Sequence, residues 1–433
     1  MNATSTAPLS KPPSNILGIQ SKSIHGQREP LAHKGLRNIR EGRYALQKRA
    51  QALLWKNDAG KRQKHRVTHC GRSVKGSYVF CYRDAGGENS RFAGLMQCGS
   101  GWTCPVCAAK LGEGRRKELT SALVKHVAAG GRVQLLTLTF PHEHDMPLPE
   151  IMAKFDKARQ HFKNSRTYKR ISTAAARLGN VASMEVTYGQ NGFHPHLHEL
   201  VFVGRSITGE SVKNEAGDMT SISGEAYELA SQWVDSLIKF KLGDESKRSD
   251  MMNHALDLRG GEYAAAYITA MGHEEQWGLQ SEVIGTGKDG KPGSFTPFGL
   301  LKLSIQGDEI RVAGAWVDPG QKFKEFADEF HGKRLLNWSR GLRDHFGLAD
   351  EVKAEKAAML EALPDDDRIA TLSADDWKIV LTRDARQELL DYLRRDCINK
   401  ETAQADVDDF IESLKRRRQT ARGWFWQFSQ RAS

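Results

Sequence analysis

The sequence predicts an α+β protein whose core is a single antiparallel sheet with helices packed on it. Three observations support this fold class. Val133–Phe140 is apolar and rich in strand-forming residues, and Pro141 ends it. The turn signal Gly189-Gln-Asn-Gly192 separates two alternating segments, and helical patterns fill the intervals between the strands. The resulting order, β-α-β-β-α-β followed by one more helix, is the ferredoxin-like arrangement.

Each element has a local reason. Residues 180–188 and 193–203 alternate between apolar and polar positions, as the two strands of a hairpin do, and 254–259 is a short strand after a polar loop. The helical patterns that separate and follow these strands lie at 149–168, 226–242 and 262–271.

Further regions flank this core. Residues 1–35 are rich in Ser, Pro, Lys and Gly and are predicted to be a disordered arm. Residues 36–127 combine a basic helix with a cysteine-rich, predicted zinc-binding module. The core domain is predicted at 130–305, and 306–433 is predicted to be an accessory, mainly helical region.

The composition of the chain indicates which kinds of partner it binds. The 433 residues carry a formal net charge of +11 and a pI near 9.3, which favours phosphate-rich partners such as nucleic acid. We find no stretch of roughly 18 apolar residues and no apolar leader segment, so we expect no membrane partner and a cytoplasmic location in a bacterium.

Three histidines alternate along one predicted strand. His194, His196 and His198 are spaced by two, so all three side chains project from the same face of the sheet. Neutral imidazole is a common metal ligand, whereas three imidazoles on one face suit core packing poorly. Glu185 lies on the neighbouring strand of the hairpin. Either its carboxylate binds the same ion as the histidines, or Glu185 is an ordinary solvated surface residue.

Two tyrosines lie on the last predicted helix of the core. Tyr263 and Tyr267 are four residues apart, which puts both hydroxyls on one face. A phenol has a pKa near 10 and becomes a useful nucleophile when a metal polarises the phosphate under attack. Ordinary packing of an amphipathic helix would explain the tyrosines alone, but not their position after the histidine strand.

The cysteines form a second candidate metal site. Five of the six cysteines lie between Cys70 and Cys107, and such clustering in an intracellular protein favours a metal over disulfides. Cys104-Pro-Val-Cys107 has the spacing of a zinc knuckle, and Cys98 precedes it. We choose Cys70 as the fourth thiolate of a structural Zn²⁺ site, with Cys81 as its rival.

Taken in order, three segments resemble the motifs of the HUH-class rolling-circle replication initiators: Leu135-Leu-Thr-Leu-Thr-Phe140, His196-Leu-His198 and Tyr263-x-x-x-Tyr267. Two flanking segments, Cys98–Lys110 and Thr296–Leu301, resemble those of plasmid Rep proteins within this class. The resemblance covers about residues 65–305.

The resemblance implies a fold, a reaction and partners. The fold would be an HUH endonuclease core, with Mg²⁺ or Mn²⁺ held by His196 and His198. The protein would cleave single-stranded DNA at a plasmid origin, with duplex nearby, and form a 5′-phosphotyrosine and a free 3′-OH. A host DNA polymerase would extend that 3′-OH. No stretch has the complete nucleotide-binding P-loop pattern, so a separate host helicase would unwind the duplex.

The sequence departs from the family at two positions. Ala270 stands where many members carry a lysine after the catalytic tyrosine, and Lys288 or Lys291 could replace it. Tyr263 stands where some plasmid members have a glutamate. Two tyrosines also resemble certain HUH transposases, which is the first alternative. A non-catalytic, origin-binding repressor is the second.

Overall fold

The computed structural model describes residues 31–56, 60, 65–84, 86–87, 90–141, 146–213, 219–261, 264, 294–312, 314–349, 367–395, 398 and 400–417. Tyr263, Tyr267, Ala270, Lys288 and Lys291 lie outside these residues, as do residues 1–30 of the arm predicted at 1–35. Residues 31–35 of that predicted arm are helical in the structure. No described helix is both long enough and apolar enough to cross a bilayer.

The helices and strands follow one another as α1 (Leu31–Leu53), β1 (Tyr78–Arg83), β2 (Ser90–Ala93), α2 (Pro105–Ala128), β3 (Arg132–Leu138), α3 (Leu148–Asn164), α4 (Arg166–Ala174), β4 (Gly179–Gly189), β5 (Gly192–Val203), β6 (Val212–Lys213), β7 (Met219–Ser221), α5 (Gly224–Lys239), α6 (Arg248–His254), β8 (Leu256–Arg259), α7 (Pro297–Gln306), β9 (Ile310–Val312), β10 (Ala315–Val317), α8 (Pro319–Glu329), β11 (Leu336–Trp338), α9 (Leu342–His345), β12 (Arg368–Ser373), α10 (Ala374–Thr382), α11 (Arg386–Leu393) and α12 (Ala403–Arg416).

The largest sheet is antiparallel throughout and has the strand order β11-β4-β5-β3-β8. The strands β3, β4, β5 and β8 have the predicted β-α-β-β-α-β connectivity. The hairpin between β4 and β5 turns at Gln190 and Asn191, where Gly189 pairs with Gly192. Gly192 has a φ of +81°, a conformation that glycine adopts without strain.

The two faces of this sheet have different cover. On one face, α3 and α5 contribute Phe155, Phe162 and Trp233 to the main core, where they pack with the inward residues of the strands. On the other face, α2 and the α9 region cover one end, where Leu119 and Phe346 are buried. The rest of that second face carries the three histidines of β5, which are only partly buried.

One predicted helix and one predicted strand have bounds that differ from the observed ones for visible reasons. The helix predicted at 149–168 ends at Asn164, because the next residue, Ser165, caps a new helix by accepting a hydrogen bond from the Tyr168 backbone N–H. The strand predicted at 254–259 begins at Leu256, since His254 ends α6.

The C-terminal region is more closely integrated than the sequence predicted. β11 is the edge strand of the large sheet, and β12 joins β1 and β2 in a second sheet with the order β12-β1-β2. α10, α11 and α12 pack on this second sheet around Trp377 and Leu389. Residues 306–433 were predicted to be a mainly helical accessory region because strands this short carry little pattern, and their partners are distant in sequence.

Candidate functional site

The histidine strand has the predicted alternation. His194, His196 and His198 are partly exposed on one face of β5, while Leu197 and Glu199 are buried on the other. The ring centroids of His194 and His196 are 4.0 Å apart, and those of His196 and His198 are 6.4 Å apart. The pleat of one strand therefore holds the three imidazoles in a continuous row.

Glu185 joins this row from the neighbouring strand. It pairs directly with His196 in the β4–β5 register, and its Oε2 lies 3.1 Å from Nε2 of His198. Their side chains are 20% and 15% exposed. Adjacent ligands of an octahedral ion, each about 2.1 Å from it, are about 3 Å apart. The Glu185 and His198 pair therefore has the spacing of two neighbouring metal ligands.

Threonines of the β3 segment fix two of the imidazoles. Oγ1 of Thr137 lies 3.0 Å from Nδ1 of His198, and Oγ1 of Thr139 lies 2.8 Å from Nε2 of His194. When Nδ1 of His198 donates to Thr137, Nε2 keeps its lone pair on the side of Glu185. This is the usual way in which a hydrogen bond orients a metal-ligating histidine.

Burial keeps His198 uncharged at neutral pH. It lowers the pKa of His198 to about 4, and the nearby carboxylate of Asp257 only partly opposes this effect. Neutral imidazole is the form that binds a metal.

Sequence reasoning missed Asp257. In the register of the sheet, Asp257 pairs with Thr137, and Thr137 pairs with His198, so the three residues share one row and one face. Asp257 also forms an ion pair with Arg259, with 3.1 Å between Oδ2 and Nε. The available signal was an acidic residue placed between two leucines in a short strand, Leu256-Asp-Leu-Arg259.

The predicted nucleophiles follow β8 directly in sequence, but Tyr263 and Tyr267 lie outside the described residues. β8 lies next to β3, and β3 lies next to the histidine strand. The backbone N–H of Ala264 donates to the carbonyl of Gly260 at 3.2 Å, and Ala264 is buried. The tyrosine segment therefore follows β8, and only β3 separates β8 from the histidine strand β5 in the sheet.

Four cysteine sulfurs come together at the start of α2. The sulfurs of Cys70, Cys98, Cys104 and Cys107 all lie within 4.8 Å of one another, and all four residues are buried. Three of their separations are 3.5, 3.6 and 3.7 Å. A tetrahedral zinc ion with Zn–S bonds of about 2.3 Å requires sulfurs about 3.8 Å apart. The donor set thus fits Zn²⁺.

Cys81 lies elsewhere. It is buried on β1 in the core of the second sheet, where burial raises the pKa of its thiol to about 12. The structure thus places Cys70, and not Cys81, with the other three cysteines. Across the described residues, this cysteine set is the one group of three or more metal-ligating residues within 4.8 Å of one another, so the donors of the histidine face are more widely spread.

Neighbouring groups donate hydrogen bonds to the cysteine sulfurs. The backbone N–H of Cys98 points to Sγ of Cys70 at 3.4 Å, and Nε2 of Gln47 points to Sγ of Cys104 at 3.3 Å. Burial alone would raise the pKa of Cys104, but hydrogen bonds from the neighbouring thiols hold it well below its usual value. Donors directed at sulfur stabilise thiolates, the form that a metal requires.

The cysteine loop and α7 both reach the histidine face. A small cavity of about 20 Å³ is lined by Gly101 and Trp102 from the loop, by Glu185, and by Thr296 and Phe298 at the start of α7. Oγ1 of Thr296 accepts a hydrogen bond from the Gly299 backbone N–H at 3.1 Å and so caps that helix. Both segments that flank the motifs in sequence therefore meet at Glu185.

Two known proteins are similar to this chain. It is 28% identical over 298 residues to a protein named "Protein rep" from Streptomyces lividans, a match that covers 59% of this chain and 64% of the relative. It is 28% identical over 166 residues to a protein named "Neomycin resistance protein" from Streptomyces cyanogenus, covering 32% of this chain and 38% of that relative.

The chain thus spans less than two thirds of the length of either relative. No protein-family model and no solved structure matches it.

Proposed function

We propose that this chain initiates rolling-circle replication of a plasmid by nicking and rejoining single-stranded DNA through a tyrosine. The observation that carries the proposal is the row of His194, His196 and His198, with Glu185 beside it, on the partly exposed face of an antiparallel sheet. The similarity to the protein named "Protein rep" supports a replication-related function.

The histidine face would hold Mg²⁺ or Mn²⁺ through His196, His198 and Glu185, with His194 as a further donor. Such an ion, when bound, neutralises charge that develops on the scissile phosphate. The protein's own part is to keep His198 neutral by burial, to orient it through Thr137, and to leave the outer side of the row open to a DNA strand.

The proposed chemistry uses one tyrosine for each strand transfer. The phenol oxygen of Tyr267 attacks the scissile phosphorus, a P–O bond to the tyrosine forms, and the P–O3′ bond breaks. The leaving oxygen takes up a proton and becomes the 3′-OH that host polymerase extends, while a host helicase unwinds the duplex. The phosphotyrosine keeps the bond energy, so a later 3′-OH can displace it and reseal the strand.

Tyr263 would act in the second half of the cycle. After one round it would attack the regenerated junction and release a new 3′-OH. That hydroxyl would then displace the first phosphotyrosine and close a circle. A carboxylate at the position of Tyr263 would instead activate water and end the reaction by hydrolysis.

The cysteine cluster would hold a structural zinc ion. Four buried sulfurs close a tetrahedral site and leave no position for substrate. The ion would order residues 65–107, a stretch that contains few helices or strands of its own.

One alternative shares the same chemistry. Two tyrosines four residues apart also occur in the transposases of this class, whereas the flanking segments Cys98–Lys110 and Thr296–Leu301 favour replication. A non-catalytic, origin-binding repressor would have the same net positive charge but would not cleave DNA.

The test is adduct trapping with the full-length protein. Single-stranded oligonucleotides that tile the DNA around the gene are incubated with protein and Mn²⁺. Covalent complexes are then resolved on a denaturing gel, and the DNA-linked peptide is mapped. We expect Tyr267→Phe to lose most adduct, whereas Tyr263→Phe should still form adduct but fail to reseal the strand.

The outcomes separate the readings. An adduct in the double variant would place the nucleophile outside this segment. Labelling of Tyr263 alone would reverse the proposed order of the two tyrosines. No cleavage by the wild type at any position would favour the repressor. Cleavage at the ends of a mobile element, and not at a plasmid origin, would favour the transposase.

A further inference from the structure

A cavity of about 250 Å³ lies beside the cysteine cluster. Its walls come from α1, the start of α2, β2 and the residues around it, α10 and α11. None of its described lining residues belongs to the five-stranded sheet, so it is separate from the histidine face. No step of the proposed nicking reaction uses it.

The walls of this cavity are cationic. Arg43, Arg91, Lys110 and Arg386 line it together with Cys70 and Cys107 of the cysteine cluster, and none of the described lining residues is an aspartate or a glutamate. Arg91 and Lys110 are half-buried, so their charges are screened less than those of exposed side chains. An anion that enters the cavity therefore meets several positive groups at once.

Arg386 lines the cavity and contacts two side chains of α1. It is 6% exposed, its guanidinium donates to Oε1 of Gln47 at 2.7 Å, and its Cζ lies 4.1 Å from the ring centroid of Tyr44. Gln47 in turn donates to Cys104. Part of the charge of Arg386 thus balances the cysteine thiolates, and Arg43, Arg91 and Lys110 are the less buried cations of the lining.

The cavity also offers a ring and a hydrogen-bond acceptor. Phe92 is half-buried, and its ring packs against the buried Trp377 with 4.9 Å between centroids. Oε1 of Gln97 is buried and accepts no hydrogen bond from the described part of the chain. A buried acceptor without a donor costs free energy, so a ligand that brings an N–H or O–H group would recover it.

We propose that this cavity binds one nucleotide unit. Its phosphate would face Arg43, Arg91 and Lys110, its base would lie against Phe92, and a base or sugar donor would reach Gln97. Small-molecule sites usually enclose about 300 Å³ or more, so this cavity suits one unit and not a longer stretch. The unit comes either from a DNA strand or from a free nucleotide, which share this chemistry. The inference goes beyond the proposed function and does not depend on it.

The experiment titrates full-length protein into two fluorescent probes: MANT-labelled dAMP and a short fluorescein-labelled single-stranded oligonucleotide. Lys110→Ala and Arg91→Ala each remove one cavity charge. Lys169→Ala removes the same charge from an exposed site on α4 and serves as the matched control. We expect both cavity variants to weaken binding of at least one probe roughly tenfold, the effect of one charge-assisted hydrogen bond, and the control to match the wild type.

The pattern of loss identifies the source. Weaker binding of MANT-dAMP assigns the cavity to a free nucleotide, whereas weaker binding of the oligonucleotide alone assigns it to a DNA strand. Gln97→Leu should weaken competition by dAMP and leave competition by inorganic phosphate unchanged.

Two results would overturn the proposal. The first is that Lys110→Ala and Arg91→Ala unfold at the wild-type temperature and bind both probes as tightly as the wild type. That result would show that the cavity does not hold the ligand. Equal competition by inorganic phosphate and dAMP in the wild type would show that no base or sugar is recognised.

Discussion

The histidine face and the cysteine cluster both gather metal-ligating residues, yet they differ in burial. The four clustered cysteines are at most 5% exposed, whereas the side chains of His198 and Glu185 are 15% and 20% exposed. A closed set of four thiolates is typical of structural zinc, and an open set of nitrogen and oxygen donors is typical of a site that accepts substrate. Burial therefore distinguishes the two proposed roles as clearly as ligand type does.

The two sites also differ in how the chain delivers their ligands. The histidines come from alternate positions of one strand, so the pleat of the sheet sets their spacing. The cysteines come from two loops and the first turn of α2, and no described strand or long helix holds Cys70 and Cys98. Loss of metal should therefore disturb the fold at the cysteine cluster and leave it intact at the histidine face.

The largest expected effect is at the cysteine cluster. Cys104→Ser should lose zinc and much of the stability of the surrounding module, because structural zinc contributes on the order of 10 kcal/mol in small zinc-binding peptides. The matched control is Cys81→Ser, which changes an equally buried cysteine outside the cluster. This variant should keep its zinc and lose about 1–3 kcal/mol of the free energy of unfolding. Zinc content and thermal unfolding measure both. Equal zinc loss in the two variants would contradict the comparison.

The histidine face should show the opposite pattern. His198→Ala should reduce cleavage at least about a thousandfold, equivalent to about 4 kcal/mol in the barrier, and should lower the unfolding temperature far less than Cys104→Ser does. His254→Ala changes an exposed histidine on α6 and should cleave normally. Cleavage rates on a tiled oligonucleotide, with unfolding curves beside them, decide the matter. A large loss of stability in His198→Ala would make its inactivity uninformative.

The buried side of the same strand should affect stability only. Glu199 is fully buried and pairs with Arg159 at 3.0 Å and Lys163 at 2.7 Å. Glu199→Gln leaves these cations without their counter-ion and should lower the free energy of unfolding by about 3 kcal/mol at pH 7. Glu228→Gln, which breaks an exposed pair with Arg170, should cost less than about 1 kcal/mol. Urea unfolding measures both, and equal costs would contradict the assignment of a structural role to Glu199.

This contribution should depend on pH in a defined direction. Burial alone would raise the pKa of Glu199, but Lys163 and Arg159 outweigh it and hold the pKa below its usual value. The stabilisation is therefore fully present above the unfolded pKa of about 4.3 and is lost as pH falls through the lower folded value. The difference in stability between wild type and Glu199→Gln should shrink below about pH 4.

The smallest effect tests how the imidazoles are oriented. Thr137→Val removes the hydrogen bond to Nδ1 of His198 and should raise the Mn²⁺ concentration needed for half-maximal cleavage roughly tenfold. Thr139→Val removes the corresponding bond to His194. Equal effects of the two variants would add His194 to the ligand set. No effect of Thr137→Val would show that the threonine does not orient a ligand.

Local patterns in the sequence were sufficient to predict the central sheet and the histidine row. Alternation with a period of two and the turn at Gly189–Gly192 depend only on neighbouring residues, and the strands lie close to the predicted bounds. The predicted groupings of His194, His196 and His198, and of Cys70 with Cys98, Cys104 and Cys107, correspond to neighbours in the structure.

Contacts between distant segments could not be predicted in this way. β12 pairs with β1 across roughly 290 residues, and Asp257 reaches the histidine row only because β8 lies beside β3. Neither pairing leaves a mark on the local pattern. Short strands such as β11, at 336–338, are too brief to show alternation at all.

One measurement tests the contrast between the two sites most directly. Wild-type protein is dialysed against EDTA, and zinc per chain and cleavage of the tiled oligonucleotides are measured in the same sample before and after Mn²⁺ is added. The account predicts that about one zinc per chain remains in the buried cluster while cleavage is lost, and that Mn²⁺ restores cleavage. Cleavage that persists in EDTA, or protein that never contained zinc, would contradict it.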